Sequence, residues 1–350
     1  MVTGFEFDGR AVGLGQPCLL VAEVGVNHNG DPKLALQLVD AAADAGVDAV
    51  KFQLFAAERV VLPDAPKAAY QKKTTDASES QFSMLKTLEL PLETYRLLQS
   101  RCLKREVSFM CTPFDEESAD YLAECGITTF KVSSGDLTNL PFLAHMARKG
   151  IPMIVSTGMA TLPEVEAAVC TIRNNGNPPI VLLHCVSNYP ADPADVNLRA
   201  MQTLTNKFGV AVGFSDHTPG IEVSLAAVSL GACVVEKHLT LDSGMEGPDH
   251  AASIEPSEFS ELVHGVRVIE SALGSANKVP AKSEGEIAAV ARKSLTAAID
   301  IPVDTLIQDS LIVALRPGTG LSPSMQDEII GRRANRPIAA GTMLELEMFD

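Results

Sequence analysis

No stretch of the 350-residue chain holds the roughly 20 consecutive apolar residues that a membrane-crossing helix needs, so a transmembrane reading is excluded. The amino terminus, MVTGFEFDGRAVG, lacks the basic start and long apolar core of a secretory signal, which makes the cytoplasm the expected compartment. Paired cysteines are missing too. Cys18, Cys102, Cys111, Cys125, Cys170, Cys185 and Cys233 stand singly, without the CxxC spacing of zinc or redox motifs, and buried, reduced thiols are expected. Nor is there an excess of positive charge: the formal net charge of −16 repels phosphate backbones and anionic lipid, which argues against nucleic-acid and membrane partners. An anionic substrate would therefore need a locally positive pocket.

What is present is an ordinary globular composition, 46% hydrophobic and 21% charged, in a chain longer than the usual single domain. Short apolar runs bounded by turn residues recur: CLLVAEV (18–24), VDAVKFQ (47–53), VSFMCT (107–112), TFKVSS (129–134), PMIVST (152–157), IVLLHCV (180–186), VAVGFS (210–215) and CVVEKHL (233–239). They are nearly continuous rather than alternating, as parallel strands covered on both faces are. Helix-like segments separate them, among them 32–46, 115–126, 162–176 and 256–273, and several stop at glycine. Eight such alternations in about 250 residues match an α/β fold of the (β/α)8 TIM-barrel type, with a doubly wound open sheet as the alternative.

The predicted barrel domain spans 1–274, a Gly/Ser/Pro-containing linker 275–290, and a small β-rich module 291–350 with the strand-prone pieces SLTAAIDI and SLIVALRP. Residues 55–88 show little periodicity and read as a long loop, a lid or a plain surface excursion, above the second strand.

In a barrel of this kind the chemistry sits at the carboxyl ends of the strands. The polar residues there are Glu23, Lys51, Thr112, Lys131 with Ser134, Ser156, Asn188, Ser215 with His217, and Glu236 with His238. His217 and His238 end neighbouring strands, whose axes pair about 4.8 Å apart, so both rings can reach one metal. Such a pair suits Mn²⁺, Co²⁺, Fe²⁺ or Zn²⁺ with open positions for water and substrate; hydrogen-bonded structural histidines are the plainer reading.

Lys51 and Lys131 follow apolar lead-ins and invite an anion, unless each pairs with a barrel carboxylate. Hydroxyls of Thr112, Ser134, Ser156 and Ser215 and the amides of Gly135 or Gly158 add donors for an oxyanion. In NHNGD, Asn29 or Asp31 can cap the first helix, which leaves Glu23 to handle a proton or a metal-bound water. Asn188, Tyr189 and Asp249 offer the mixed hydrogen bonding of a sugar site, though Tyr189 also fits as a packing aromatic. Arg316, in the turn LRPGTG, is presented outward, to a partner or to solvent.

VAEVGVNHNGD, AVKFQ, FMCTPFD, FKVSSGD, IVSTGM, LLHCVSNYP, GFSDHT and EKHLT with GPDHAAS together resemble the sialic acid (N-acetylneuraminate) synthase family. RPGTGLSP and IAAGTML resemble its carboxyl-terminal SAF, or antifreeze-like, module. The resemblance implies a transferase that condenses phosphoenolpyruvate with open-chain N-acetylmannosamine and releases phosphate by C–O cleavage. It implies that Lys51, Thr112, Lys131, Ser134, Ser156, Asn188 and Ser215 hold phosphoenolpyruvate. His217 and His238 would bind a divalent metal, Mn²⁺ first and Mg²⁺ or Co²⁺ as substitutes, and Glu23 would orient or deprotonate water.

Gln53, Asp136, Tyr189 and Asp249 fall on positions that contact the N-acyl amino sugar. Arg316 matches an arginine that reaches the partner subunit's site, which implies a domain-swapped homodimer. Asp136 replaces a Glu of some bacterial members, and Val290 stands where some carry an aromatic residue. Both departures leave open a legionaminic acid synthase taking a 2,4-diacetamido-trideoxy mannose. A synthase taking a 6-phosphorylated mannosamine would need a further cation from Lys67, Lys72, Lys73 or Lys86. A catalytically silent sugar-binding protein is the reading from another class.

Overall fold

The computed structural model describes residues 4–350, and the chain divides into two compact units, one ending at Gly274 and the other spanning Ser275–Asp350. In the first unit eight parallel strands close a barrel: β3 (Leu19–Gly25), β4 (Ala49–Leu54), β5 (Ser108–Pro113), β6 (Phe130–Val132), β7 (Met153–Ser156), β8 (Ile180–Cys185), β9 (Ala211–Asp216) and β10 (Val234–His238). β10 pairs back onto β3, so the sheet has no edge, which rules out the open alternative. The runs are continuous because both faces are buried. Leu20, Ala22 and Val24 of β3 face the helical ring, while Leu19 and Val21 face the barrel interior.

A hairpin that the short-run pattern did not reveal precedes the barrel: β1 (Phe5–Phe7) pairs antiparallel with β2 (Arg10–Val12). Its strands are three residues each, too short to show a period. Phe5, Phe7 and Val12 join Leu19, Ala49 and Ala211, the first residues of three barrel strands, in one apolar cluster. The hairpin therefore plugs the amino-terminal end of the barrel. Burying each phenylalanine there contributes roughly 1.5–3 kcal/mol.

Residues 55–88 are not an unstructured loop. They form short helices at Ala57–Val60, Gln71–Thr74 and Gln81–Leu88. Helices of this length do not stand alone in water and depend on packing. Here Met84 and Leu88 bury against Val26 and Phe55, and Ser80 caps the last helix by accepting from Ser83 N.

In the second unit β11 (Ser294–Ala297) pairs antiparallel with β12 (Ile312–Leu315) over a small core that includes Leu295, Ile301, Ile307, Ile338 and Phe349. The end of the expected linker is a helix, Gly285–Ala291, whose Ala289 carbonyl accepts from Gly318 N (2.7 Å). All seven cysteines are free; contrary to the expectation of uniform burial, Cys170 is exposed and Cys125 half-buried. No helix among the described residues is long and apolar enough to cross a membrane.

Candidate active site

Strand register brings the polar ends together. His238 on β10 lies beside Glu23 on β3, which lies beside Lys51 on β4, while Gln53 pairs with Thr112 and Ser215 with Glu236. Between Glu23 and Gly25 the β3 register shifts, a bulge that re-aims the strand end. Gly25 takes φ 56°, and a Cβ there would stand 3.2 Å from both Glu23 Oε1 and Gln53 Nε2. Glycine is what lets Gln53 donate to Glu23 Oε1 (2.8 Å).

Beneath the opening lie four buried charges. Lys51 Nζ is 2.7 Å from Glu23 Oε2 and 3.7 Å from Glu236 Oε1, and Lys131 Nζ is 3.6 Å from Glu236 Oε1. The lysines thus meet barrel carboxylates, the alternative the sequence left open, and both still line the cavity. Lys51 donates to Thr112 Oγ1 (3.1 Å), Lys131 to Ser156 Oγ (2.7 Å), and Ser215 to Glu236 Oε1 (3.2 Å).

Burial sets the protonation order. It raises the Glu23 carboxyl above its usual range against the pull of Lys51. For Glu236 burial acts the same way, but Lys131 and Lys51 outweigh it and hold that carboxyl low. Burial depresses the Lys131 ammonium, whereas Glu23 and Glu236 overcome it at Lys51 and hold that one high.

The two histidine rings have centroids 5.4 Å apart. His217 Nδ1 donates to the Val186 carbonyl (2.8 Å), which fixes the ring and points Nε2 away from that contact. Burial depresses the basicity of His217, but a hydrogen bond to Cys185 Sγ, 3.9 Å from Nδ1, and the negative charge that the Cys185 sulfur takes on beside it reverse the direction. His238 is pushed well below the ordinary histidine range by burial and is a neutral imidazole, and its buried Nδ1 has no partner. Two neighbouring imidazoles, one of them neutral with an orphaned buried nitrogen, fit a divalent cation that displaces any proton from the other. Among the described residues no group of three or more His, Cys, Asp or Glu gathers into a cage, so water and substrate would complete the coordination.

Above the charges lies a cavity of about 450 Å³. Of the residues expected from the sequence, Glu23, Lys51, Gln53, Thr112, Lys131 and Ser134 line it, as do Ser156, Tyr189, Ser215, His217, His238 and Asp249. Three do not. Asp136 lies in a short turn where its carboxylate accepts from Ser133 Oγ (2.6 Å), Asn188 is exposed, and Arg316 belongs to the second unit, where its Nε donates to the Ala291 carbonyl (2.9 Å). The Gly158 amide is not open to an oxyanion either: it donates to Ser134 Oγ (3.1 Å). A Cβ on Gly158 would fall 2.2 Å from Ser187 Oγ, so only glycine fits among these groups.

The sequence reading missed Ser187 and Cys185, whose signal is strand parity: positions 183, 185 and 187 share one face of β8 and its extension, and 188 does not. It placed Glu236 with His238 among the polar strand ends but gave it no role, although the two share parity. Tyr70 carried no sequence signal; its ring stacks on Tyr189 (5.1 Å), which in turn meets His217 (4.2 Å). Asp249 is buried at the rim, and burial raises its carboxyl to about 6.

The NeuB family model matches residues 38–278 and the SAF domain model residues 292–350. The N,N'-diacetyllegionaminic acid synthase of Legionella pneumophila is 46% identical over 95% of this chain and 94% of its own length. The human N-acetylneuraminate-9-phosphate synthase is 36% identical over 93% of this chain and 90% of its own. A crystal structure of N-acetylneuraminic acid synthetase from Leptospira borgpetersenii, in complex with citrate, superposes with a TM-score of 0.72 at 36% identity, covering 82% of this chain and 95% of that one. With its family model covering most of the barrel and its polar strand ends converging on one cavity, this chain belongs to the NeuB family and carries a SAF domain at its carboxyl end.

Proposed function

We propose that the protein condenses phosphoenolpyruvate with an open-chain N-acyl amino sugar and releases inorganic phosphate. The carrying observation is the buried Lys51–Glu23–Glu236–Lys131 set directly beside His217 and His238. In this reading Lys51 and Lys131, with the hydroxyls of Thr112, Ser134, Ser156 and Ser215, hold the phosphate and carboxylate. A divalent cation, Mn²⁺ in the first instance, would be held by His217 and His238 and supply Lewis acidity at the sugar carbonyl.

The enol carbon of phosphoenolpyruvate forms the new C–C bond to the sugar aldehyde carbon. Glu23, oriented by Gln53 and raised by burial, takes a proton from the water that adds to the former enol-phosphate carbon, while the aldehyde oxygen gains a proton and becomes the product hydroxyl, so that the proton count is unchanged. The C–O bond to phosphate then breaks. Tyr189 and Asp249 hold the sugar at the rim.

Among acceptors we favour a 2,4-diacetamido-trideoxy mannose over N-acetylmannosamine, because relatives at 46% identity carry the name N,N'-diacetyllegionaminic acid synthase. A 6-phosphorylated acceptor fits less well. Lys67 is engaged by Thr75 and Glu79, Lys86 by Glu58 and Glu89, and Lys72 and Lys73 are exposed; none lines the cavity. Phosphate release from phosphoenolpyruvate, measured with each of the three sugars after chelation and again with Mn²⁺ restored, tests the proposal. Absence of release with every sugar refutes it.

The swapped homodimer and the role of Arg316 rest on the resemblance. Mixing Arg316→Ala subunits with a His217→Ala variant restores activity if sites are shared between chains, and restores none otherwise.

A further inference from the structure

The turn after β3, residues 27–30 in NHNGD, has a task that capping does not explain. Asp31 alone caps the first helix, accepting from Lys33 N (2.8 Å). Asn27 and Asn29 instead reach a segment more than 200 residues away. Asn27 Nδ2 donates to the Leu239 carbonyl (2.9 Å) and to Ser253 Oγ (2.8 Å), and Ser253 Oγ donates to the Asp249 carbonyl (2.7 Å). Asn29 Nδ2 donates to the Glu246 carbonyl (3.0 Å), and its Oδ1 lies 3.1 Å from His250 Nε2. His250 is anchored at its other nitrogen, with Nδ1 2.7 Å from Thr240 Oγ1.

The segment so held is the loop between β10 and the last barrel helix. Its base is closed by the Leu239–Ile254 bridge, and its tip brings Pro248 and Asp249 to the cavity. The approach is close enough to dictate composition on both sides. A Cβ on Gly247 would stand 2.6 Å from His250 Cδ2 and 2.9 Å from Asn29 Oδ1. Asn29 itself takes φ 49°, a left-handed conformation that Asn tolerates better than most residues.

The same turn touches the opposite wall. Gly30 (φ 74°) packs so tightly under the helix Gln81–Leu88 that a Cβ would fall 2.3 Å from the Thr87 carbonyl oxygen. That helix carries Gln81, Met84, Leu85 and Leu88 to the cavity. One four-residue turn therefore fastens both walls of the mouth.

We infer that the 27–30 turn is a positioning joint: Asn29 and Gly30 set the gap between the Asp249 loop and the 81–88 helix, and with it the grip on the sugar. The inference rests on the proposed function only for the identity of what is gripped. The joint itself is a property of the ligand-free protein and is tested there first.

Hydrogen exchange on the full chain without ligand is the first measurement. Asn29→Ala is expected to speed exchange across 242–250 while strands β5 to β8 stay protected, and Gly30→Ala to speed it across 81–88. Steady-state kinetics are the second: for Asn29→Ala the KM for the sugar rises about tenfold or more while the KM for phosphoenolpyruvate stays within about twofold, as expected when only one wall is loosened. Asn29→Asp keeps an acceptor for His250 but loses the donor to Glu246, and should recover part of that loss.

The inference is overturned if exchange in 242–250 is unchanged, if it accelerates through the whole barrel, or if both KM values rise together. Absence of turnover with any sugar in the unmodified protein counts against the proposed reaction, and the exchange result then still judges the joint.

Discussion

The two ends of the barrel interior are built from the same eight strands and have opposite contents. At the amino end Leu19, Val21, Ala49, Met110, Ile154 and Leu183 pack against the plug of Phe5 and Phe7. At the carboxyl end, two or four strand positions further on, stand Glu23, Lys51, Lys131, Ser156, Glu236 and His238, all buried and ionic or polar. Burying apolar groups stabilises, whereas burying charges costs free energy unless they pair. The amino end is thus where the barrel gains stability, and the carboxyl end is where that stability is given up to hold reactive groups out of water.

The sharpest way to break this contrast is His217→Ala or Glu23→Gln. Either is expected to lower turnover by about 10²–10⁴ in phosphate release at saturating substrates. Without metal the thermal midpoint stays near its original value for His217→Ala, whereas Glu23→Gln, which leaves the buried Lys51 only its longer contact to Glu236, lowers it. At the other end, Phe7→Ala should cost about 3–5 kcal/mol in denaturant unfolding and leave kcat/KM unchanged at temperatures where the chain stays folded. Unchanged stability would show that the hairpin does not plug the barrel.

A smaller effect concerns the cation. Mn²⁺ at about 100 times its dissociation constant should raise stability by about 2.7 kcal/mol, and His217→Ala should abolish the increment.

The smallest is also the most pointed. Burial raises the Asp249 carboxyl from 3.8 to about 6. Its folded-state value exceeds its unfolded one, so the protonated form favours folding. That stability is present below pH 4 and lost as pH rises through 6. At pH 7 to 8, Asp249→Asn should therefore gain up to about 2–3 kcal/mol of stability and flatten its pH dependence over that window, while losing turnover. A destabilised Asn variant would show that the carboxylate has a favourable partner.

How much of this was legible in the sequence follows from the same physics. The eight strands announced themselves because both faces are buried, which writes a continuous apolar run. The ionic strand ends were legible as interruptions of those runs, which is how the sequence pointed to Glu23, Lys51, Lys131, His217 and His238, all of which line the cavity. Besides Cys185 and Ser187, what escaped was of two kinds. The β1–β2 hairpin has three-residue strands, and a period needs more than that to be seen. Tyr70, Gln71, Gln81 and Met84 reach the cavity only because residues 55–88 fold back through packing on Val26, Phe55 and Phe114, a tertiary fact with no local signature. Asn188 stands outside the cavity lining because of parity: a polar residue at a strand end lines the barrel only if it is in phase with its inward neighbours.

The plug at the amino end has a consequence for traffic. A barrel stoppered by Phe5, Phe7 and the side chains around them is a cup rather than a tube. Whatever occupies the charged floor must have come in past Tyr189 and Asp249 and must go out the same way. Arrival and departure share one doorway, and each occupant has to clear it before the next can enter.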